Sequence, residues 1–285
     1  MPRTGPTLSR LAAVLAVAVL GTAMPGTATS GTARPVDPVA WPVALASSTT
    51  SGDAALIRPQ GLLGGSGCEP GQVLNLDPWK LTLPIGSAGK PREILPLNLG
   101  RLVGTPFFQT TRDCAGVIFR APVNGVTTKG SKNPRSELRE MGGGAAKAGW
   151  SSGSGTHWMA VTEAFTKLPQ GTPHLVGAQI HDDKDDVTVF RLEGPNLYVT
   201  NGDNPHYKLV RNDYQLGQVF QAAFLVTQNM VGAYYDGQLV AVVERPFANA
   251  YFKAGAYTQA NCSNSPCTSD NYGETVIYAL DIGHS

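Results

Sequence analysis

Asn133-Pro134-Arg135-Ser136-Glu137-Leu138-Arg139-Glu140-Met141 is the stretch on which the reading of this chain turns. In a β-strand successive side chains point to opposite faces, so Arg135, Glu137 and Arg139 share one face. A strand that shows two guanidinium groups and a carboxylate to one side either faces open water or lines a groove for an anionic ligand. Two later stretches help decide. In Gln179-Ile180-His181, Gln179 and His181 share a face, with Ala178 and Ile180 on the other. In Tyr251-Phe252-Lys253-Ala254-Gly255-Ala256-Tyr257-Thr258-Gln259, the face formed by Tyr251, Lys253, Tyr257 and Gln259 is polar and aromatic, whereas Phe252, Ala254 and Ala256 point away from it. Three strands with one chemically rich face each are expected to lie side by side in one sheet, as the floor of a cleft.

The rest of the chain supports a sheet protein. Residues 117–121, 136–141, 158–165, 175–181, 187–192, 196–200, 219–226, 231–235, 238–244, 251–257 and 275–282 all fit short strands broken by turn residues. Asp236-Gly237, between two of these runs, is a strong two-residue hairpin signal. Residues 74–84 mix apolar alternation with prolines, as an edge strand does. The glycines and serines of 142–156 read as a mobile loop beside the first stretch, and Asn204-Pro205-His206-Tyr207 as a loop near the groove. No long stretch carries a helical period and no internal repeat is present. The expected fold is all-β, an antiparallel β-sandwich or jelly roll with a concave substrate groove.

At 285 residues the chain allows one large β domain or two small ones, and the even run of strands favours one. Residues 1–28 read as a secretory signal peptide: Arg3 and Arg10 are basic, residues 11–20 are apolar, and small residues follow. The apolar run is about half the roughly 20 residues a membrane-spanning helix needs, so export without a membrane anchor is expected. Residues 29–67, rich in Thr, Ser, Ala, Gly and Pro, read as a flexible low-complexity leader, and 68–285 as the folded domain. Removing 1–28 takes away two of 22 basic residues and none of the 21 acidic ones. A near-neutral chain that binds a polyanion must concentrate its positive charge, which draws attention to Lys129, Lys132, Arg135, Arg139 and Lys253. Nucleic acid is a poor fit, because no basic run and no nucleic-acid-binding signature is present. Four cysteines in an exported chain point to two disulfides. Cys262 and Cys267 bracket a short polar loop and pair, leaving Cys68 with Cys114. A zinc site has little support without a paired-cysteine motif or a histidine cluster.

The three stretches quoted above resemble the signature stretches of alginate lyases of polysaccharide lyase family 7, in order and in spacing. Leu76-Asp77-Pro78-Trp79-Lys80-Leu81-Thr82-Leu83-Pro84 is similar to that family's opening, so the resemblance covers 73–282. It implies a β-jelly roll with a groove and the depolymerisation of a uronic-acid polysaccharide, alginate, by β-elimination. In the family, Ile in place of Val between the Gln and His goes with acceptance of guluronate, and this chain has Ile180.

The chemistry of elimination asks for the same residue types. Removing the C5 proton next to an ionised carboxylate creates a doubly negative enolate, which positive and hydrogen-bonding groups must hold; Arg135 and Gln179 suit that task. A base takes the proton and an acid protonates the leaving O4, the roles expected of His181 and Tyr257. Glu137, Arg139, Lys253 and Gln259 are expected to bind substrate, with Arg139 either on a neighbouring uronate or orienting Glu137. No metal and no cofactor is required. Each residue alone has a plainer reading: an Arg-Glu-Arg face is most often a solvated ladder of ion pairs, a histidine is most often at the surface or hydrogen-bonded in the core, and tyrosine favours strands. Three strands far apart in sequence would all have to spend a polar face by coincidence. Asp182-Asp183-Lys184-Asp185-Asp186 lacks the spaced ligands of a calcium loop and reads as a solvated turn. His157, His174, His206 and His284 fall into no recognisable constellation. The expectation is a secreted, extracellular, monomeric alginate lyase favouring guluronate-containing blocks. Its rivals are a lyase on another polyuronate such as glucuronan, and a jelly-roll lectin that binds without chemistry.

Overall fold

A computed structural model describes residues 67–102 and 104–285. The expected signal peptide, and the leader up to its last residue, lie outside the described residues. Along the chain the elements are α1 (Pro70–Val73), β1 (Trp79–Ser87), β2 (Lys90–Ile94), α2 (Pro96–Leu99), β3 (Phe108–Thr110), β4 (Val117–Pro122), β5 (Arg135–Glu140) and β6 (Thr156–Lys167). They continue with β7 (His174–His181), β8 (Asp186–Glu193), β9 (Asn196–Asn201), β10 (Asn204–Arg211), β11 (Phe220–Thr227), β12 (Met230–Tyr235), β13 (Gln238–Glu244), β14 (Tyr251–Thr258) and β15 (Tyr272–His284). The two helices are single turns, and no helix among the described residues is long and apolar enough to cross a membrane.

The strands form two antiparallel sheets. One has eight strands in the order β10-β9-β8-β7-β14-β5-β1-β2, the other seven in the order β13-β12-β11-β6-β15-β4-β3. Their inner faces share one core that includes Leu81, Leu138, Ile180, Phe190 and Phe252 from the first sheet and Phe119, Phe165, Phe224 and Ile277 from the second. Phe190 and Phe224 meet across the gap with ring centroids 5.3 Å apart. The architecture is the antiparallel sandwich that the alternating pattern predicts, and β5, β14 and β7 are direct neighbours. The Asp236-Gly237 turn joins β12 to β13 with both residues at positive φ, 48° and 77°.

Several elements differ from the sequence reading. β1 is not an edge strand, since it pairs with β5 on one side and β2 on the other. Its Pro84 sits where the register with β2 shifts, between Thr82 and Gly86, so the missing N–H interrupts no regular ladder. Residues 204–207 are not a loop but the start of β10, whose residues are exposed up to Leu209 and so carry no alternation to read. The glycine- and serine-rich 142–156 is pinned rather than free. Trp150 exchanges two backbone hydrogen bonds with Ala250, of 3.0 and 2.9 Å. The Ser152 hydroxyl donates to the Phe247 carbonyl at 3.1 Å and is fully buried.

Both disulfides are present with the expected pairing. Cys68–Cys114 spans 46 residues and Cys262–Cys267 spans 5. On a chain-entropy account the longer loop contributes about 4 kcal/mol, while the short one shapes a turn. Cys68→Ser with Cys114→Ser should therefore cost far more in urea-unfolding free energy than Cys262→Ser with Cys267→Ser, and equal losses would refute the ranking.

Candidate active site

β5, β14 and β7 present one continuous polar row on the outer face of the eight-stranded sheet. Register sets the neighbours: Lys253 lies opposite Arg139 and Gln179, Tyr257 opposite Arg135, and Tyr251 opposite His181. Gly255 lies opposite Glu137 with φ of +140°. A Cβ there would fall 2.6 Å from the Ser136 carbonyl oxygen and 2.9 Å from the Glu137 Cα, so only glycine lets the two strands close. Around it, five residues of β14 from Lys253 to Tyr257 face four of β7 from Gln179 to Val176, a bulge in β14 that re-aims the side chains beyond it.

Glu137 is the hub of the row. It is 1% exposed, and its carboxylate accepts from Arg135 Nη1 at 3.0 Å, from Lys253 Nζ at 2.5 Å and from the Gln179 side-chain amide. Burial alone would raise its pKa, but the charges of Lys253 and Arg135 outweigh that and hold it below the usual carboxylate value. Glu137 was expected to bind substrate; its oxygens instead face protein donors, and it positions three strands' worth of functional groups. Lys253 is also buried, and burial together with the repulsion of Arg135 draws its ammonium down to about 8 against the pull of Glu137. Arg135 lies over the Tyr257 ring, 3.8 Å from its centroid, and its Nε is buried without a hydrogen-bond partner.

His181 and Tyr257 stand towards opposite ends of this row. His181 Nδ1 lies 2.6 Å from the Asp182 carbonyl oxygen, so in the neutral ring Nδ1 carries the hydrogen and Nε2 the lone pair. Burial, then the charge of Lys253, lowers the pKa of His181. Its ring stacks on Tyr251, with centroids 5.3 Å apart. The Tyr257 hydroxyl is 2.9 Å from Ser131 Oγ. Arg139 does not orient Glu137: it lies over Tyr251 at 3.8 Å and donates to the carbonyls of Glu140 and Ala148 at 2.7 and 3.4 Å, tying the 142–149 segment to β5.

Gln259 lies just beyond β14 and takes part in a cluster that the sequence reading missed. Arg191 Nη1 donates to Gln259 Oε1 at 3.1 Å, Arg191 Nη2 approaches His174 Nδ1 at 3.0 Å, and Arg191 Nε donates to Glu193 at 2.5 Å. Gln259 Nε2, like Arg135 Nε, is buried without a partner. Gln179, Asp186, Arg191, Tyr257 and Gln259 line a depression of about 250 Å³ that extends the row across β8. Asp186 sits opposite His181, and burial followed by its contact with Asp185 raises its carboxyl to about 6. Asp182 is spent on its own turn, accepting from the N–H groups of Lys184 and Asp185 at 2.8 and 2.9 Å. The one sequence signal for the β8 residues was a charged residue in an otherwise apolar strand, Val187-Thr188-Val189-Phe190-Arg191-Leu192.

A β-sandwich whose outer face carries cations fixed around a buried carboxylate, with an imidazole and a phenol in the same row, belongs to the class of enzymes that act on anionic polysaccharides. The family model described as alginate lyase matches residues 74–284, and the chain belongs to the polysaccharide lyase family 7 alginate lyases. It is 56% identical to the crystal structure of the alginate lyase from Corynebacterium sp., over 76% of this chain and 99% of that one, with a TM-score of 0.75. It is 40% identical to the family 7 alginate lyase AlgAT5, over 76% and 99% of the two chains, with a TM-score of 0.72. A curated alginate lyase from Klebsiella pneumoniae is 37% identical over 75 residues, which make up 25% of this chain and 24% of that protein.

The hub makes a prediction of its own. Glu137→Gln leaves Lys253 and Arg135 buried without a counter-charge, which should cost about 3–5 kcal/mol of unfolding free energy and, by loosening the row, lower turnover roughly 100-fold. Urea unfolding and initial rates check both, and a variant of native stability and native rate would remove Glu137 from this role.

Proposed function

We propose that the protein depolymerises alginate by β-elimination. The observation that carries this reading is the row itself: Arg135, Gln179 and Lys253 are held by Glu137 on one face, in line with His181 and Tyr257. The substrate uronate places its carboxylate against Arg135 and Gln179, whose guanidinium and amide N–H groups suit its oxygens. His181 Nε2 takes the C5 proton, and the electron pair is held as the enolate. That pair then forms the C4–C5 double bond as the C4–O4 bond breaks, and the Tyr257 hydroxyl gives its proton to the departing O4. Solvent exchange returns a proton to Tyr257 and removes one from His181, so the cycle consumes none. Arg135 and Gln179, with the charge of Lys253 behind them, stabilise the enolate in which charge develops.

The stereochemistry favours guluronate. In guluronate the C5 proton and O4 lie on opposite faces of the ring, which needs a base and an acid on two sides; in mannuronate they lie on the same face, where one residue suffices. A neutral His181 as base and Tyr257 as acid are the two separate groups that such a reaction asks for. Ile180, packed in the core behind His181, is the residue the family associates with guluronate acceptance. The basic, apolar and small-residue pattern of 1–28 supports export by signal peptide, and the N-terminus of the extracellular protein after cleavage tests this, a retained residue 1 being the adverse result.

Absorbance of the unsaturated product is the decisive assay. His181→Ala and Tyr257→Phe should each remove most of the turnover with unchanged melting temperature, because both act on the transition state and not on the core. Since the folded-state pKa of His181 lies below the ordinary imidazole value, its base form persists as pH falls, and the acid limb of kcat/KM should lie below that value. Near-normal rates in both variants would overturn the acid–base roles. The same assay on purified blocks should give faster initial rates on guluronate-rich or mixed blocks than on mannuronate blocks, and the opposite order would overturn the preference alone.

A further inference from the structure

Glu163 lies in β6, on the sheet that carries no part of the site, yet its carboxyl reaches β7 from beneath. It is wholly buried, between Phe220 of β11 and Ile277 of β15 in the ladder, and neither oxygen has a partner of ordinary hydrogen-bond geometry. An acid kept in a core is costly unless something there uses it.

What lies above it is irregular backbone. Between the pairs Val176–Arg191 and Gln179–Val189, two residues of β7 face one of β8, so β7 bulges against β8, whereas against β14 the extra residue is β14's. A bulge leaves a backbone group outside the ladder, and a buried one needs a partner from elsewhere. The Ala178 N–H lies near enough to the Glu163 carboxyl to offset part of the effect of its burial. Gly177 makes room for it: a Cβ at that position would fall 2.5 and 2.6 Å from the two carboxyl oxygens. Gln179 follows immediately, with His181 two residues on.

We propose that Glu163 is a positioning residue for the lyase reaction, its neutral carboxyl supporting the β7 bulge from the opposite sheet and so fixing where Gln179 and His181 meet the substrate. The inference rests on the elimination reading above. No charged side chain faces Glu163 among the described residues. β7 offers backbone, β11 and β15 offer Phe220 and Ile277, and the one titratable neighbour is Tyr214, whose hydroxyl is spent on the Phe165 N–H and the Gln218 carbonyl. Burial lifts the Glu163 carboxyl from 4.5 to about 8, so it is neutral at pH 7 and ionises as pH rises through about 8. Because the folded value is the higher one, its favourable contribution to stability is complete below about 4.5, declines as pH rises to about 8, and is constant beyond.

Glu163→Gln keeps the shape and the neutral acceptor but cannot ionise. It should retain kcat within about twofold at pH 7 and lose less of it above pH 8 than the wild type, since Lys253 discharges in both but Glu163 ionises only in the wild type. Its melting temperature relative to wild type should climb between pH 5 and 8 and then level off. Glu163→Leu, which removes the acceptor, should lose at least tenfold in kcat with little change in KM. A decline of kcat above pH 8 that is identical in wild type and Glu163→Gln overturns the proposal, whether or not Glu163→Leu folds, as does a Leu variant with native kcat. A wild type that yields no unsaturated product would instead overturn the elimination reading, so the two failures are separable.

Discussion

One buried carboxylate organises the working face of this protein. Glu137 gathers a guanidinium, an ammonium and an amide from three strands, and the row facing outward is what those donors present on their other sides. Taking such charges out of water costs several kcal/mol per ion, and their mutual attraction at best returns that, so the cluster is poorly explained as a device for stability. Its effect is geometric. Long, flexible Arg and Lys side chains would otherwise sample many rotamers, and Glu137 removes that freedom before any substrate arrives. The close approach at Gly255 is part of the same arrangement, because a side chain there would push β14 away from β5 and open the triad of contacts.

Alternation made most of the fold legible. A strand with one face in the core and one in water writes its period into the sequence, as 158–165 and 251–257 do, and those strands stand where they were expected. β2 and β10 escaped because largely exposed strands have no apolar side to mark. β1 was found but misplaced, since its prolines fit an edge and only the tertiary pairing reveals that β2 covers it. Within the site, periodicity gave the shared face but not depth. Arg135 and Glu137 sit two residues apart on one strand, yet only one of them is sealed from solvent. The residues of β8 stayed hidden because a single arginine in an apolar strand has no pattern. His157 and His284 are 127 positions apart, so nothing in the sequence foretold that their Nδ1 atoms lie 2.8 Å apart, or that His284 Nε2 meets Glu140 at 2.8 Å.

The electrostatics follow from placement and not from composition. The whole chain is within one charge of neutral, yet Arg135, Arg139, Lys253 and Arg191 occupy one side of one sheet. Fields from such a cluster reach a polyanion over roughly a Debye length, about 8 Å at physiological ionic strength, so salt weakens capture before it disturbs the buried contacts. Asp186 tempers this field from within the depression, as its raised pKa leaves part of its charge unexpressed near pH 6.

β15, the strand nearest the C-terminus, lies in the middle of the seven-stranded sheet, with β6 on one side and β4 on the other. A ribosome delivers those residues after every other strand. Until they emerge, β4 and β6 each have an unpaired edge and the core lacks a wall, so the sandwich cannot close around a partial chain. Assembly of the sandwich therefore waits for its last strand and is dominated by contacts between distant residues, a topology that is slow to form.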